Sequence, residues 1–186
     1  STLREGEQAP GVCFPLAVKI KIAKTLARIG IEEIELGIAT PYDQELPLLM
    51  RILRRRIRSR RLALWSRCVD ADIDFAAALR PDVLSLSIPA SDLHIYEKLG
   101  RNRSWVKKTM ANAIRRSLGK GIATVSVGLE DTTRADEDFL EQLILTAEQA
   151  GAARVRLADT VGIASPLTIA SLIGRIARNS RLEICI

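Results

Sequence analysis

The feature that most constrains this chain is a regular alternation of short strand-like and longer amphipathic segments, repeated roughly six times at about 30-residue spacing. Residues 17–29 (AVKIKIAKTLARI) place apolar side chains at helical spacing, with Lys and Arg opposite and Gly30 at the end. Residues 31–38 (IEEIELGI) are short, isoleucine-rich and followed by Pro41, the pattern of a strand. The same reading predicts helices over 42–57, 71–79, 105–118, 136–150 and 165–177. It predicts strands over 61–65, 82–88, 122–127, 154–157 and 182–186. Gly119, Gly121 and Gly151 punctuate helix ends, and Ser165-Pro166 supplies an N-cap with a first-turn proline. No linker or low-complexity stretch interrupts the series, so residues 1–186 read as one α/β domain with a parallel sheet and helical crossovers.

Two closures suit such a series: an open doubly wound sheet or a (β/α)8 TIM barrel. No GxGxxG follows the first strand and no Walker loop is present, which removes the best support for a nucleotide-binding sheet. The barrel is the expectation. A full barrel takes about 250 residues, and the 186 here supply roughly six and a half units, so an incomplete barrel, truncated at both ends, is expected. Ser1 reads as a point inside a strand, with the residues up to Arg4 as its tail.

Composition excludes several classes. There is no apolar run of membrane-spanning length, so no membrane partner is expected. Cys13, Cys68 and Cys185 lack metal-type spacing and read as reduced thiols, which suits a cytoplasmic protein. The net charge of +6 owes much to the run RRRIRSRR at 54–61. That run has no aromatic residue for base stacking and falls at a helix end, where arginines suit the helix dipole. No nucleic-acid partner is expected.

Polar residues recur where the strands end. In chain order these are Arg4 and Glu5 (within STLREGEQAPG), Glu35, Arg67, Ser87, Glu130 with Asp131, and Asp159 with Thr160. The C-terminal strand ends of a parallel barrel form its active-site rim, and charges buried there are costly unless they pair or bind something. Carboxylates and arginines on such turns suit a divalent cation and an anionic substrate. Plainer readings stand beside this one. Arg4 and Glu5 could be a surface ion pair, Asp131 and Arg134 a loop salt bridge, and Asp159 a cap on backbone amides. His94, the single histidine, lacks a second histidine for metal binding and reads as structural or as the edge of a substrate site. Trp65 reads as rim packing, and Cys68 and Cys185 as packed near the barrel interior.

STLREGEQAPGV, IEEIELGI, SVGLEDTTRAD and RLADTVGI, in that order, resemble the Claisen-condensing metallolyase family of (β/α)8 barrels. Its members are homocitrate, isopropylmalate and citramalate synthases, with hydroxymethylglutaryl-CoA lyase as a cousin. SIPASDLHIYEKLGRNRSWV and SVGLEDTTRAD are most similar to the homocitrate synthases of nitrogen fixation. The resemblance implies an acyltransferase that condenses acetyl-CoA with 2-oxoglutarate, giving homocitrate and CoA. It implies Glu5 as a ligand of a divalent metal (Mg, Mn or Zn) and Arg4 as the group that steadies the developing oxyanion. Glu35 would pair with Arg4, Gln8 would lie near the 2-oxo acid, Glu130 would orient the catalytic base, and Thr160 would hydrogen-bond the substrate. Ser126 and Gly128 stand where lysine-pathway homocitrate synthases carry arginine and serine, which leaves Arg67 as the candidate partner of the distal carboxylate. The family's His-x-His metal pair is expected after Ile186, and its catalytic base in a further C-terminal region, so these residues alone are expected not to turn over. A homodimer is expected for the full-length protein. Condensation on 2-oxoisovalerate or pyruvate, and a non-catalytic paralogue, are the alternatives.

Overall fold

Side-chain hydrogen bonds to backbone amides set four of the six helix starts among the described residues. The computed structural model describes residues 2–57 and 59–186. Helix α1 (Leu16–Arg28) follows Pro15. The second helix, α2 (Leu46–Arg56), begins four residues later than the sequence periodicity predicts, because Asp43 Oδ1 accepts from the backbone N–H groups of Glu45 and Leu46 at 2.9 Å. That turn satisfies donors a helix end leaves free, so the residues before it stay outside the helix. Asn102, Asp136 and Ser165 cap α4 (Arg103–Gly119), α5 (Glu137–Ala150) and α6 (Pro166–Asn179), the last through a capping box with Thr168. Helix α3 (Asp70–Leu79) ends on Arg80 in the left-handed region. Two features escape the periodicity: a π-helical turn at Leu93–Lys98 and a 3-10 turn at Thr132–Arg134.

The strands are β1 (Glu33–Ile38), β2 (Arg61–Arg67), β3 (Val83–Pro89), β4 (Thr124–Glu130), β5 (Arg154–Leu157) and β6 (Glu183–Cys185). All neighbours are parallel and the order is sequential, β1 through β6. A doubly wound sheet reverses its strand order at a switch point, and this sheet does not. It also curls. Arg154 on β5 reaches Glu33 on β1, with Nη1 2.8 Å from Oε1. In a flat sheet those strands would lie about 19 Å apart, at about 4.8 Å per strand, beyond the reach of the two side chains. The fold is therefore α/β and a partial TIM barrel, as the alternation predicts.

Period-two alternation sorts the two faces. Ile34, Leu36, Leu62, Leu64, Leu84, Leu86, Val125, Val127, Leu129, Val155 and Leu157 are all buried in the core that contains α2, α4 and α5. The register puts Glu33, Glu35, Trp65, Ser85, Ser87, Ser126, Gly128, Arg154 and Arg156 on the other, inner face. Barrel interiors are usually packed with branched apolar residues. Here the wall is polar, and ion pairs cross it.

The opening segment corrects one expectation. Thr2–Arg4 form turns and Glu5–Gln8 a 3-10 turn, with no strand before β1 among the described residues. So short a run makes no ladder beside β1, and buried Leu3 anchors it by packing instead. Ser1 lies outside the described residues. So does Arg58 of the basic run, in which three other arginines are engaged internally while Arg55 and Arg56 are exposed. Arg54 binds Asp82 at 2.7 and 2.8 Å, Arg60 donates to the Ala27 carbonyl at 3.1 Å, and Arg61 lies 3.5 Å from Glu33. No helix among the described residues is long and apolar enough to cross a membrane.

Gly151 ends α5 at φ +99°, and a Cβ there would meet Leu118 Cδ1 at 2.8 Å. Gly151→Ala should cost about 1 kcal/mol from the backbone alone and lower the thermal midpoint. Gly119→Ala, in open space on a helical backbone, should leave the midpoint unchanged or raise it. Equal midpoints for the two variants in a thermal melt would contradict this account.

Candidate active site

The rim above β1–β5 encloses a cavity of about 540 Å³, lined by Arg4, Glu5, Trp65, Ser87, Gly128, Glu130, Arg156, Asp159, Thr160 and neighbours. The opening turn enters it through Arg4. Its Nε lies 2.5 Å from Glu35 Oε1 and its Nη2 2.7 Å from Glu5 Oε1. The guanidinium also sits over the Trp65 ring, 5.5 Å from the centroid. Arg4 and Glu35 are about nine-tenths buried while the Glu5 side chain is 62% exposed. A planar cation is thus clamped from below and from the side, with a solvent-facing carboxylate at its edge. Glu35 sits mid-strand on the inner face, so it belongs to the barrel interior and not to a loop. Its second oxygen lies 3.6 Å from Arg156 Nη1.

Across the cavity, Glu130 accepts from Ser87 Oγ at 2.8 Å and lies 3.6 Å from Lys98 Nζ. Thr160 Oγ1 accepts from the Asp131 backbone N–H at 2.8 Å. A hydroxyl held as an acceptor still has its own proton to donate. Asp159 lines the cavity, but its carboxylate is engaged by the following turn: it accepts from the N–H groups of Ile163 and Ala164 at 3.2 and 2.9 Å and from Thr133 Oγ1 at 2.8 Å. Those bonds, the Ala164 N–H foremost, hold its carboxyl below the usual range. The capping reading of Asp159 is the one the geometry supports.

The structure brings together Arg4, Glu5, Glu35, Glu130 and Thr160. Gln8 lies beside them, in an adjoining pocket with Arg4 and Lys19. Arg67 is not among them. Its Nε and Nη2 lie 2.7 and 3.2 Å from the carboxylate of buried Asp72, so the first turn of α3 draws its fork away from the cavity. Besides Arg4, the arginine that lines the cavity is Arg156, which stands inside a strand and not at its end. Its signal is the alternation RVRL, which puts two arginines on the inner face while Val155 and Leu157 are buried on the other.

Among the described residues, no three His, Cys, Asp or Glu side chains cluster as metal ligands. Glu5 is the donor type a hard divalent cation takes, and it is exposed at the cavity lip. It fits as one ligand and does not form a metal centre by itself. Cys68 gives no thiolate chemistry: burial, with the Glu130 charge adding, pushes its thiol up to about 12.

The HMGL-like family profile matches residues 1–186. A homocitrate synthase from Frankia alni is 38% identical over 178 residues, covering 96% of this chain and 50% of that protein. A 2-isopropylmalate synthase from Caldanaerobacter subterraneus subsp. tengcongensis is 37% identical over 184 residues, covering 99% of this chain and 47% of that protein. The chain spans about half the length of these curated relatives, and their near-equal identities do not separate the two substrates. Among solved structures, an HMG-CoA lyase from Bacillus subtilis superposes with a TM-score of 0.85 at 15% identity, over 98% of this chain and 64% of that one. That likeness supports the fold.

Asp131 ties the β4 and β5 ends to the π-helical turn. It is fully buried with φ 59°. It receives Arg134 Nε and Nη2 at 2.8 Å each, is hydrogen-bonded by Ser91 Oγ, and has His94 Nε2 at 3.7 Å. Burial pushes its pKa up, but the hydrogen bonds from Arg134 and Ser91 outweigh it, and the net shift is downward. A depressed carboxyl contributes stability above its unfolded pKa of about 3.9 and loses it as pH falls through the folded value. Asp131→Asn keeps a residue tolerant of positive φ, so it isolates the charge. It should cost about 2 kcal/mol at pH 7, with the gap from wild type shrinking below about pH 3.9. Urea midpoints at pH 7 and pH 3 measure this, and a pH-independent gap would contradict it.

Proposed function

This chain belongs to the HMGL-like family, and on that premise we propose that the protein is a homocitrate synthase-like acyltransferase. It joins acetyl-CoA to 2-oxoglutarate and releases homocitrate and CoA after thioester hydrolysis. The observation that carries the reading is Arg4, clamped by Glu35 and Trp65 with its edge against Glu5 at the cavity lip. A guanidinium fixed before the reaction stabilises an oxyanion without reorganising, at roughly 3 kcal/mol per donor. The 2-oxo carbonyl lies within reach of Arg4, and the alkoxide formed on carbon–carbon bond formation is the charge Arg4 meets. A divalent cation (Mg, Mn or Zn), with Glu5 as the ligand this chain contributes, supplies Lewis-acid polarisation of that carbonyl when bound. Thr160 donates a hydrogen bond through its hydroxyl to the 2-oxo acid, its oxygen being held by the Asp131 N–H. Gln8 closes the side of the site beyond Arg4. Glu130, fixed by Ser87 and Lys98, orients the base that takes the methyl proton of acetyl-CoA.

The segments SIPASDLHIYEKLGRNRSWV and SVGLEDTTRAD favour homocitrate, and with it a role in supplying the nitrogenase cofactor. The 37% identical isopropylmalate synthase keeps 2-oxoisovalerate as the second reading. The protein acts on small molecules, in the cytoplasm and as a homodimer.

The test is CoA release by the full-length protein with a panel of 2-oxo acids. The expected result is release with 2-oxoglutarate in preference to 2-oxoisovalerate and pyruvate. Good release with 2-oxoisovalerate and none with 2-oxoglutarate would overturn the homocitrate reading, and none with any of them the enzyme reading. Arg4→Ala should lower kcat by about 100-fold or more at a full substrate level. Unchanged kcat would remove Arg4 from the oxyanion role.

A further inference from the structure

We propose that Arg156 reads the second carboxylate of a dicarboxylic 2-oxo acid and so sets the substrate class of this site. The inference rests on the 2-oxo acid reading of the cavity and names the residue that selects among such acids.

Arg156 stands on the inner face of β5 and lines the same cavity as Arg4 and Thr160. Among the described residues its guanidinium makes no hydrogen bond. Its nearest anion, Glu35, lies 3.6 Å away and is already bound by Arg4 at 2.5 Å. The other carboxylates of the cavity are also engaged: Glu5 by Arg4, Glu130 by Ser87, and Asp159 by backbone amides. Among the described residues the half-buried fork of Arg156 thus has one ion-pair contact, with Glu35, and no hydrogen bond, and it lines the cavity where a carboxylate can take two parallel hydrogen bonds from it.

The neighbouring strand adds no side chain beside that fork. Gly128 pairs with Arg156 in the β4–β5 register, and a Cβ on it would meet Leu86 O at 3.4 Å, Ser87 Oγ at 3.6 Å and Arg156 Nη2 at 3.8 Å. One layer below on the same face of β4, Ser126 Oγ is buried with no partner among the described residues. Arg4 and Arg156 approach the two oxygens of one carboxylate, Glu35, so their guanidinium groups stand a short molecule apart. A 2-oxo acid can therefore set its carbonyl at Arg4 and a distal carboxylate at Arg156. A branched apolar 2-oxo acid would strip water from the Arg156 fork and give it nothing in return, and sites built for a polar group reject analogues that lack it strongly.

Calorimetric titration of the full-length protein reads binding without requiring turnover, so it stands apart from the acyltransferase reading. Wild type should bind 2-oxoglutarate more tightly than pyruvate or 2-oxoisovalerate. Arg156→Leu should weaken 2-oxoglutarate by about 100-fold while leaving pyruvate within about threefold, and Arg156→Lys should restore part of the loss. In CoA release, if wild type turns over, the leucine variant should raise the KM for 2-oxoglutarate more than it lowers kcat. An unchanged 2-oxoglutarate affinity in Arg156→Leu would overturn the proposal. So would an equal loss for all three acids, which marks a structural role, or a wild type with no preference for the diacid.

Discussion

The carboxylate of Glu35 is the contact on which the site depends. It projects from the inner face of β1, binds Arg4 at 2.5 Å and has Arg156 of β5 at 3.6 Å. The opening turn has no strand ladder to hold it among the described residues, so the buried Arg4–Glu35 pair and the packing of Leu3 fix where Arg4 points. Breaking a buried pair by removing one partner leaves an uncompensated charge and costs about 3–5 kcal/mol. The same pair therefore anchors the segment and aims its guanidinium.

That arrangement requires a barrel with a polar lining. Outward residues such as Leu62, Leu84, Val125 and Val155 supply the apolar burial that holds helices to sheet. The inward residues are released from that task and carry charge in two layers. The lower is Glu33 with Arg154, 2.8 Å apart, and the upper is Glu35 with Arg156 and Arg4. The lower pair joins β1 to β5 across the barrel, and the upper one opens into the cavity. Structure and chemistry are separated by one step of the strand period, because successive side chains point to opposite faces.

Much of this was legible in the sequence. Six helices and six strands follow from periodicity, because each helix buries one stripe and each strand one face. The boundaries that moved have local causes, as where Asp43 captures the amides before α2 and delays its start to Leu46. Arg4, Glu5, Glu130 and Thr160 line one cavity and Glu35 joins them through Arg4. The family resemblance points to all five, whereas strand-end position suits only Glu130 and Thr160, since Arg4 and Glu5 stand on a turn and Glu35 inside β1. Arg67 was misplaced because its partner, Asp72, lies on the following helix, and pairing between side chains leaves no mark on strand-end position. Strand-end position does not single out Arg156, which stands inside β5, although the RVRL alternation places it on the inner face.

The departures from the lysine-pathway pattern at Ser126 and Gly128 acquire a physical sense beside Arg156. Those positions lack the arginine and serine of that pattern, so a distal carboxylate would find no cation on β4. The neighbouring strand offers one at the paired position, Arg156 beside Gly128. A Cβ at Gly128 would occupy the space beside the Arg156 fork, in ordinary contact with Leu86 O at 3.4 Å and Arg156 Nη2 at 3.8 Å. The other cation of these two strands, Arg154, is already held by Glu33 at 2.8 Å. Arg4 and Arg156 approach the two oxygens of Glu35, at 2.5 and 3.6 Å. If Arg156 reads the distal carboxylate as proposed, the carbonyl end of the substrate stays at Arg4 while its far end is read from β5.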